Sequence, residues 1–268
     1  MKLINKNAII YGAAGSLGSA VASAFAAEGA NVLLAGRTMA SLQKVKDGII
    51  KAGGRAEAAA VDALNEQSVT AHINDVVAKY GTIDISFNLI GFEVKQNIPL
   101  IDLSLNDFVN PVTTAMTTQF LTATAAAKVM VKQQSGVILS ISSQPGAIGY
   151  PLVGGWGPLC CAIEGFSRNL ATEVGIHGVR VVTIRSAGSP DSRVFKEAVD
   201  NFGDQAKEFI KKLEDDTMLK KLPLMKDIAN AAIFLSCDMA DKITGITLDV
   251  TVGSTTGLNY KVMPIPLQ

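Results

Sequence analysis

The sequence has little of the residues that build metal sites and disulfide frameworks. It contains two histidines, His72 and His177, and three cysteines, Cys160, Cys161 and Cys237. Neither histidine has a second His or Cys at ligand spacing, and both stand in polar, helix- or loop-like sequence, so we interpret them as ordinary surface residues and expect no metal site. An adjacent cysteine pair plus one distant thiol makes a poor disulfide framework. This pattern favours a reducing environment, the cytoplasm.

Long apolar runs and an excess of one charge are also missing. No apolar run reaches 18 residues and the first residues lack a secretory leader pattern, so we expect no membrane association. Lys+Arg and Asp+Glu number 24 each, which gives no net field to recruit nucleic acid. No G-x-S-x-G elbow supports serine-hydrolase chemistry. Apolar residues make up 48% of the sequence, enough for one sizeable core.

Short apolar runs alternate with longer amphipathic segments along the chain. The strand-like runs are Ala8–Gly12, Asn31–Gly36, Ala56–Asp62, Ile83–Gly91, Gly136–Ser142, Val179–Arg185 and Thr247–Val252. The helix-like segments are Ser19–Glu28, Met39–Ala52, Glu66–Lys79, Ala115–Lys132, Cys161–Glu173 and Lys226–Ser236. This alternation predicts an α/β fold with a doubly wound parallel sheet of about seven strands and helices on both faces.

No linker or repeat interrupts this rhythm, so we expect residues 1–268 to form one domain. The one departure is the segment 188–224, a charged helical insert between the sixth strand and the last helix. We interpret it as a mobile surface flap over a substrate.

A glycine-rich loop follows the first strand. It contains Gly12, Gly15, Ser16, Leu17 and Gly18, and a helix begins directly after it. Glycine permits a tight turn, and a helix N-terminus presents free N–H groups to a phosphate. The pattern indicates a nucleotide-phosphate site, although a tight turn that binds nothing would leave the same sequence.

With this loop in place, the chain resembles the short-chain dehydrogenase/reductase family over nearly its whole length. The family loop reads T-G-x-x-x-G-x-G, and this chain has Tyr11, Gly12 and Gly18 at matching places with Ser16 at the middle glycine. The resemblance implies a Rossmann-type fold that binds a nicotinamide dinucleotide and transfers a hydride between carbonyl and alcohol.

The resemblance also implies which residues contact the dinucleotide. Asp62 and Ala63 match the pair that contacts adenine, and Asn88 and Gly91 match a segment after the fourth strand. Where members that prefer NAD carry an acid, this chain has Arg37, whose guanidinium suits a 2′-phosphate. NADP(H) is therefore the expected cofactor, with weak binding; the alternative is that Arg37 is a solvated charge at a helix start.

The family's chemistry depends on a Ser, a Tyr, a Lys four residues after the Tyr, and an Asn. By resemblance the Ser is Ser143, but Trp156 stands 13 residues later at the Tyr position and Cys160 at the Lys position. The Asn position falls on Ala115. A phenol of pKa about 10 is a poor acid/base near neutrality without a neighbouring cation. Arg168 is twelve helical residues beyond Trp156, about 18 Å along the axis, too far to replace the lysine.

Trp156 and Cys160 have two interpretations, a stacking platform with a reactive thiol or a filling of the former active-site volume. The leading hypothesis is a member that binds a nucleotide or small ligand, or acts as a non-catalytic subunit, without ordinary carbonyl reduction. One alternative is a true oxidoreductase that uses another proton donor, Tyr150 first, or acts on an activated alkene or iminium. Another is non-redox chemistry with Ser143 and bound water.

Relatives in this family associate through two helices that correspond to 115–132 and 161–173. Both segments are rich in small residues and poor in charge, which permits close helix contact, and the apolar tail Val262–Leu267 would also gain from a partner. We therefore expect a homo-oligomer, a tetramer, that binds a small molecule.

Overall fold

A computed structural model describes residues 1–257; the predicted apolar tail 262–267 lies outside these residues. The described strands are β1 (Asn7–Tyr11), β2 (Asn31–Gly36), β3 (Arg55–Ala60), β4 (Ile85–Asn88), β5 (Gly136–Ser143), β6 (Val179–Ser186) and β7 (Thr247–Val250). The helices are α1 (Ser16–Ala27), α2 (Met39–Lys51), α3 (Glu66–Tyr80), α4 (Leu105–Gln133), α5 (Trp156–Val174), α6 (Arg193–Asp215) and α7 (Met225–Ser236).

The seven strands form one sheet in the order β3-β2-β1-β4-β5-β6-β7, and every neighbouring pair is parallel. The chain moves outward from β1 to β3 and then returns to β4 on the other side of β1. A doubly wound sheet changes direction at this point, and its ligands bind beyond the carboxyl ends of the strands there. The predicted fold class is confirmed.

Two apolar layers cover the two faces of the sheet. In β1, Ala8 and Ile10 belong to the layer that contains residues of α1 and α7, whereas Ile9 and Tyr11 belong to the layer shared with α3, α4 and α5. All five residues of β1 are buried, which the apolar run from Ala8 predicts for the last four. The helices therefore lie on both faces and leave the carboxyl edge of the sheet for the loops.

The helix predicted from Ala115 begins ten residues earlier. α4 starts at Leu105, after Ser104 whose side chain accepts a hydrogen bond from Asp107 N, and it contains Pro111 in its interior. Proline lacks the N–H for the bond four residues back, so a sequence rule ends or interrupts a helix there. Pro111 is buried, and packing keeps the helix continuous through it. This extension places Ala115 in the middle of a helix rather than at its start.

His72 differs from the expectation of a surface residue. It is 8% exposed, and its Nδ1 is buried with no hydrogen-bond partner among residues 1–257. Its ring stands edge-on to that of Tyr11, with centroids 6.3 Å apart. The polar sequence around His72 does not reveal this burial, because only one face of α3 packs on the sheet.

Two cavities, of about 370 and 210 Å³, flank the edge strand β3, which is rich in alanine. None of the residues predicted to bind the dinucleotide or perform chemistry lines either of them. Within residues 1–257, no helix is both long enough and apolar enough to cross a membrane.

Candidate functional site

The predicted site residues meet at the carboxyl edge of the sheet. The glycine-rich loop follows β1, Arg37 follows β2, Asp62 follows β3, Asn88 ends β4 and Ser143 ends β5. Because the strands are parallel and adjacent, their carboxyl ends form one continuous rim. The fold therefore brings together segments that the sequence separates by more than a hundred residues.

Two glycines of the loop are required by the turn itself. Gly12 has φ +75°, and a Cβ there would lie 2.5 Å from the carbonyl oxygen of Leu89. A Cβ at Gly18 would lie 2.2 Å from the oxygen of Gly12. A side chain fits neither position without moving the backbone. These two residues let the chain turn from β1 into α1 at close range.

The outer side of the same loop is open to an anion. Gly15 is exposed, and a Cβ there would contact only the oxygen of Gly12, at 3.2 Å. Gly15 caps α1 without a side-chain hydrogen bond, so the first-turn N–H groups of Ser16, Leu17 and Gly18 have no partner within the helix. Such N–H groups bind phosphate well. This half of the site fits the phosphates of a dinucleotide.

Beyond β2 and β3 the rim offers one cation and one carboxylate. Arg37 is exposed directly beyond β2. Asp62 Oδ1 accepts a hydrogen bond from Leu64 N at 3.0 Å, and Ala63 is buried beside it. The carboxylate of Asp62 thus shapes its own turn and keeps a second oxygen for a ligand.

Asn88 has a structural task at the end of β4. Its Nδ2 donates to Thr122 Oγ1 at 3.1 Å, and its Oδ1 accepts from Ile90 N at 3.1 Å. Both ends of the amide are therefore engaged: Nδ2 links β4 to α4, and Oδ1 shapes the turn after β4. Gly91, three residues later, is exposed, and a side chain there would meet nothing within 4 Å.

The residues at the expected Tyr, Lys and Asn positions form one apolar cluster. Trp156 and Cys160 lie on the first turns of α5, and Ala115 faces them from α4. Ala115 is 0% and Cys160 1% exposed. The further members of this cluster are Leu159, Ile163, Phe92, Val94 and Val112. The structure therefore brings the three positions together but fills the space between them with hydrocarbon and a thiol.

The Cys160 thiol is not activated. Burial raises its pKa to about 12, and the negative charge of Glu164 also disfavours the thiolate. Tyr150, the nearest phenol in sequence, also has a raised pKa because it is partly buried and near Asp216. A nucleophilic thiol needs a lowered pKa, and a Tyr acid/base needs a cation that stabilises the phenolate. Among residues 1–257, neither group has this support.

Ser143 ends β5 beside the cluster, where its hydroxyl donates to the carbonyl oxygen of Ser186 on β6 at 3.2 Å. The hydroxyl is partly exposed and can rotate toward a ligand at the cost of this single bond.

Next to the cluster lies a partly buried ionic network that sequence reasoning missed. Arg185 on β6 binds Glu164 on α5 through two hydrogen bonds, Nε to Oε1 at 3.0 Å and Nη2 to Oε2 at 2.6 Å. Its Nη1 donates to Asp249 Oδ2 on β7 at 3.1 Å, and Ser142 Oγ donates to Glu164 Oε1 at 2.7 Å. A signal existed in the sequence, because the apolar run of the sixth strand ends on an arginine.

Asp249 extends this network into the turn after β7. It accepts hydrogen bonds from the hydroxyls of Thr251 and Thr255 and from Thr251 N at 3.0 Å. Burial alone would raise its pKa, but these bonds and Arg185 hold the pKa below its usual value. Arg185 is thus paired with two carboxylates and does not offer a free positive charge to replace the expected lysine.

The arrangement therefore has two unequal halves. The glycine-rich loop and Arg37 suit a phosphorylated dinucleotide. The positions expected to transfer a proton hold an indole, a buried thiol and a methyl group, none of which titrates near neutrality.

Comparisons with known proteins agree with the fold. The family described as Enoyl-(Acyl carrier protein) reductase matches residues 12–255. The chain is 31% identical to the 3-oxoacyl-(acyl-carrier-protein) reductase FabG of Chlamydia trachomatis, over 94% of this chain and 98% of the relative. It is 30% identical to the 3alpha-hydroxysteroid dehydrogenase of Mediterraneibacter gnavus, over 93% of this chain and 97% of the relative.

Solved structures extend the likeness of the fold. An NAD+-bound xylitol dehydrogenase superposes with a TM-score of 0.87 at 24% identity, covering 94% of this chain and all of the other. An actinorhodin polyketide ketoreductase with NADPH gives a TM-score of 0.85 at 20% identity, covering 94% of this chain and 98% of the other.

Proposed function

The chain belongs to the short-chain dehydrogenase/reductase family of oxidoreductases, whose members bind NAD(P)(H), and we propose that it binds NADP(H) without ordinary carbonyl chemistry. The observation that carries this proposal is the environment of Cys160, which is 1% exposed and clusters with Ala115 and Trp156. On the family pattern these are the Lys, Asn and Tyr positions. The protein would then act as a binding protein for a nucleotide or small ligand, or as a non-catalytic subunit.

We expect no ordinary carbonyl chemistry because the site lacks the expected proton donor. When bound, the nicotinamide supplies a hydride to a carbonyl carbon, and the oxygen that gains charge needs a proton. A positioned acid contributes typically 10²–10⁴-fold to such a step. The Trp156 indole donates one hydrogen bond but does not titrate usefully. Ser143 polarises an oxygen without supplying a proton of its own, so the developing alkoxide stays uncompensated.

The preference for NADP(H) is supported by Arg37. An exposed guanidinium stands directly beyond β2, at the place where members that prefer NAD carry an acid. The first-turn N–H groups of Ser16, Leu17 and Gly18 would hold the diphosphate. With no lysine at position 160 to bind the nicotinamide ribose, we expect the affinity to be modest.

A second candidate function is genuine hydride transfer to an activated acceptor, such as a conjugated alkene or iminium, which needs little proton donation. It is supported by the match of residues 12–255 to a family described as Enoyl-(Acyl carrier protein) reductase, because an enoyl group is a conjugated alkene. Ser143 and the partly buried Tyr150 are the polar groups that such a reaction would use.

We also propose a homotetramer, in a reducing, cytoplasmic setting that suits the free cysteines. Phe120 on α4 is 54% exposed, and its ring lies 6.3 Å from that of Phe166 on α5. The segment 188–224, which contains α6, would act as the flap over a small-molecule ligand within a single domain of 268 residues.

Calorimetric titration with NADPH and NADH tests the cofactor proposal. We expect NADPH to bind roughly tenfold more tightly, the value of about one charge-assisted hydrogen bond. Arg37→Ala should remove this difference, whereas Arg168→Ala, which changes another exposed arginine on α5, should preserve it. Equal affinities in the wild type, a preference for NADH, or no binding of either would overturn the proposal.

A further inference from the structure

The first residue of helix α6 contacts the glycine-rich loop. Ser16 Oγ accepts a hydrogen bond from Arg193 N at 3.1 Å, although the two residues are 177 positions apart. A glycine at position 16 would have no side-chain oxygen to accept this bond. The serine that departs from the family pattern thus makes a specific contact with the flap.

Two further contacts add to the Ser16 bond in holding the start of α6. Both carboxylate oxygens of Asp191 accept from Met225 N, at 3.1 and 3.3 Å, which ties the segment before α6 to α7. The ring of Phe195 covers Gly188 so closely that a Cβ there would lie 2.4 Å from Phe195 Cζ. Arg193 is therefore held beside the loop by its neighbours on both sides.

The side chain of Arg193 is available for another partner. It is 76% exposed, and its Nε lies 3.5 Å from Glu197 Oε1 on the same helix, itself 59% exposed. An exposed pair of this kind contributes little stability and exchanges easily for a better acceptor. The guanidinium can leave Glu197 at little cost.

We propose that Arg193 binds the diphosphate of a dinucleotide held on the glycine-rich loop, and that Ser16 positions α6 for this contact. The inference rests on the proposed function and deepens it. The N–H groups at the start of α1 would bind the anion from one side and the guanidinium from the other, a charge-assisted contact. NAD(H) and NADP(H) share the diphosphate, so Arg193 strengthens both, whereas Arg37 distinguishes them.

Calorimetry with NADPH and NADH on matched variants separates these roles. Arg193→Ala should weaken both dinucleotides roughly tenfold and leave their ratio unchanged, and Arg193→Lys should restore part of the loss. Lys196→Ala removes an exposed cation from the same helix and should change either affinity less than about twofold. Thermal unfolding should show that all of these variants are folded.

Ser16→Ala tests the positioning role without a ligand. Removing the hydroxyl should accelerate amide hydrogen exchange in residues 190–198 of the free protein and weaken both dinucleotides about threefold, because the flap is less preorganised.

Several results would overturn this inference. They are wild-type affinity in Arg193→Ala, a loss confined to NADPH, an equal loss in Lys196→Ala, and unchanged exchange in Ser16→Ala. If the wild type binds both nucleotides and any of these is found, the inference alone fails. If the wild type binds neither nucleotide, the proposed function fails as well.

Discussion

Arg185 and Glu164 form a two-bond ion pair that joins β6 to α5 beneath the candidate site. The side chains are 15% and 6% exposed. Ser142 donates to the same carboxylate, and Asp249 binds the free side of the guanidinium. One arginine therefore holds α5, which carries Trp156 and Cys160, in a fixed relation to the last three strands.

Glu164→Gln should lower the free energy of unfolding by about 2 kcal/mol. Removing one partner of a buried pair costs about 3–5 kcal/mol, and Arg185 retains Asp249, which reduces the loss. Lys207→Gln, which breaks an exposed pair with Asp204, is the control and should cost less than about 0.5 kcal/mol. Denaturant unfolding measures both, and equal losses would contradict the structural role of the network.

The three thiols should differ sharply in reactivity. Cys161 is exposed, whereas Cys160 and Cys237 are buried and burial raises the pKa of Cys160 to about 12. An aromatic disulfide reagent near pH 8 should label one thiol quickly, and Cys161→Ser should abolish this fast phase. Denatured protein should yield all three thiols. A fast phase that survives Cys161→Ser and disappears in Cys160→Ser would show a reactive Cys160.

The strand–helix rhythm predicts most of the fold because parallel strands covered on both faces are continuously apolar. The predicted start of α4 is wrong, because Pro111 indicates a break in the sequence whereas packing keeps the helix continuous through it. Two further helices begin before the segments that the sequence predicts. α1 begins at Ser16 and not at Ser19, and α5 begins at Trp156 and not at Cys161. Glycine, serine and tryptophan are weak helix signals, so tertiary contacts decide these starts.

The candidate site was predictable where it depends on strand ends and not where it depends on long-range pairs. The sequence places Gly12, Arg37 and Ser143 at the ends of strands, and the sheet brings those ends to one rim. The partners of Arg185 lie 21 and 64 residues away, and no local pattern identifies them. The same is true of the contact between Ser16 and Arg193.

Stability should fall in mild acid because of His72. Burial lowers the pKa of its imidazole in the folded state from the ordinary value of 6.5, although Asp75 opposes this. As the pH falls below 6.5, the unfolded chain takes up a proton that the folded chain resists, so folding free energy is lost. His72→Phe, which keeps a ring beside Tyr11, should remove this component.

The measurement is denaturant unfolding at several values between about pH 8 and about pH 5. His177→Gln, which replaces the other histidine and leaves His72 in place, is the matched control. If the free energy of unfolding changes equally with pH in the wild type and in His72→Phe, His72 has the same pKa in the folded and unfolded states, and the prediction is wrong.

The apolar surface around Phe120 and Phe166 should support self-association. Light scattering at micromolar concentration should report a species larger than the 28.1 kDa chain, four times larger for a tetramer. Phe120→Glu places a charge on this surface and should shift the protein toward smaller species, whereas Phe202→Glu on α6, also exposed, should not. A wild-type monomer would contradict the proposed assembly.

Restoring the family residues is a useful complement to any activity assay. The triple variant Trp156→Tyr, Cys160→Lys, Ala115→Asn returns an acid/base and its cation to the site. Cys160 and Ala115 are buried in an apolar cluster, so the new polar groups carry a stability cost, and the variant must first be shown to be folded. If only this variant reduces ketones, the three side chains account for the lack of ketone reduction in the wild type.

The most direct test of the central claim is the steady-state oxidation of NADPH by the wild-type protein across a panel of simple ketones and aldehydes. The apolar cluster of Ala115, Trp156 and Cys160 predicts no turnover above the rate without substrate. Turnover at rates ordinary for the family, abolished by Tyr150→Phe, would contradict the claim and identify Tyr150 as the proton donor.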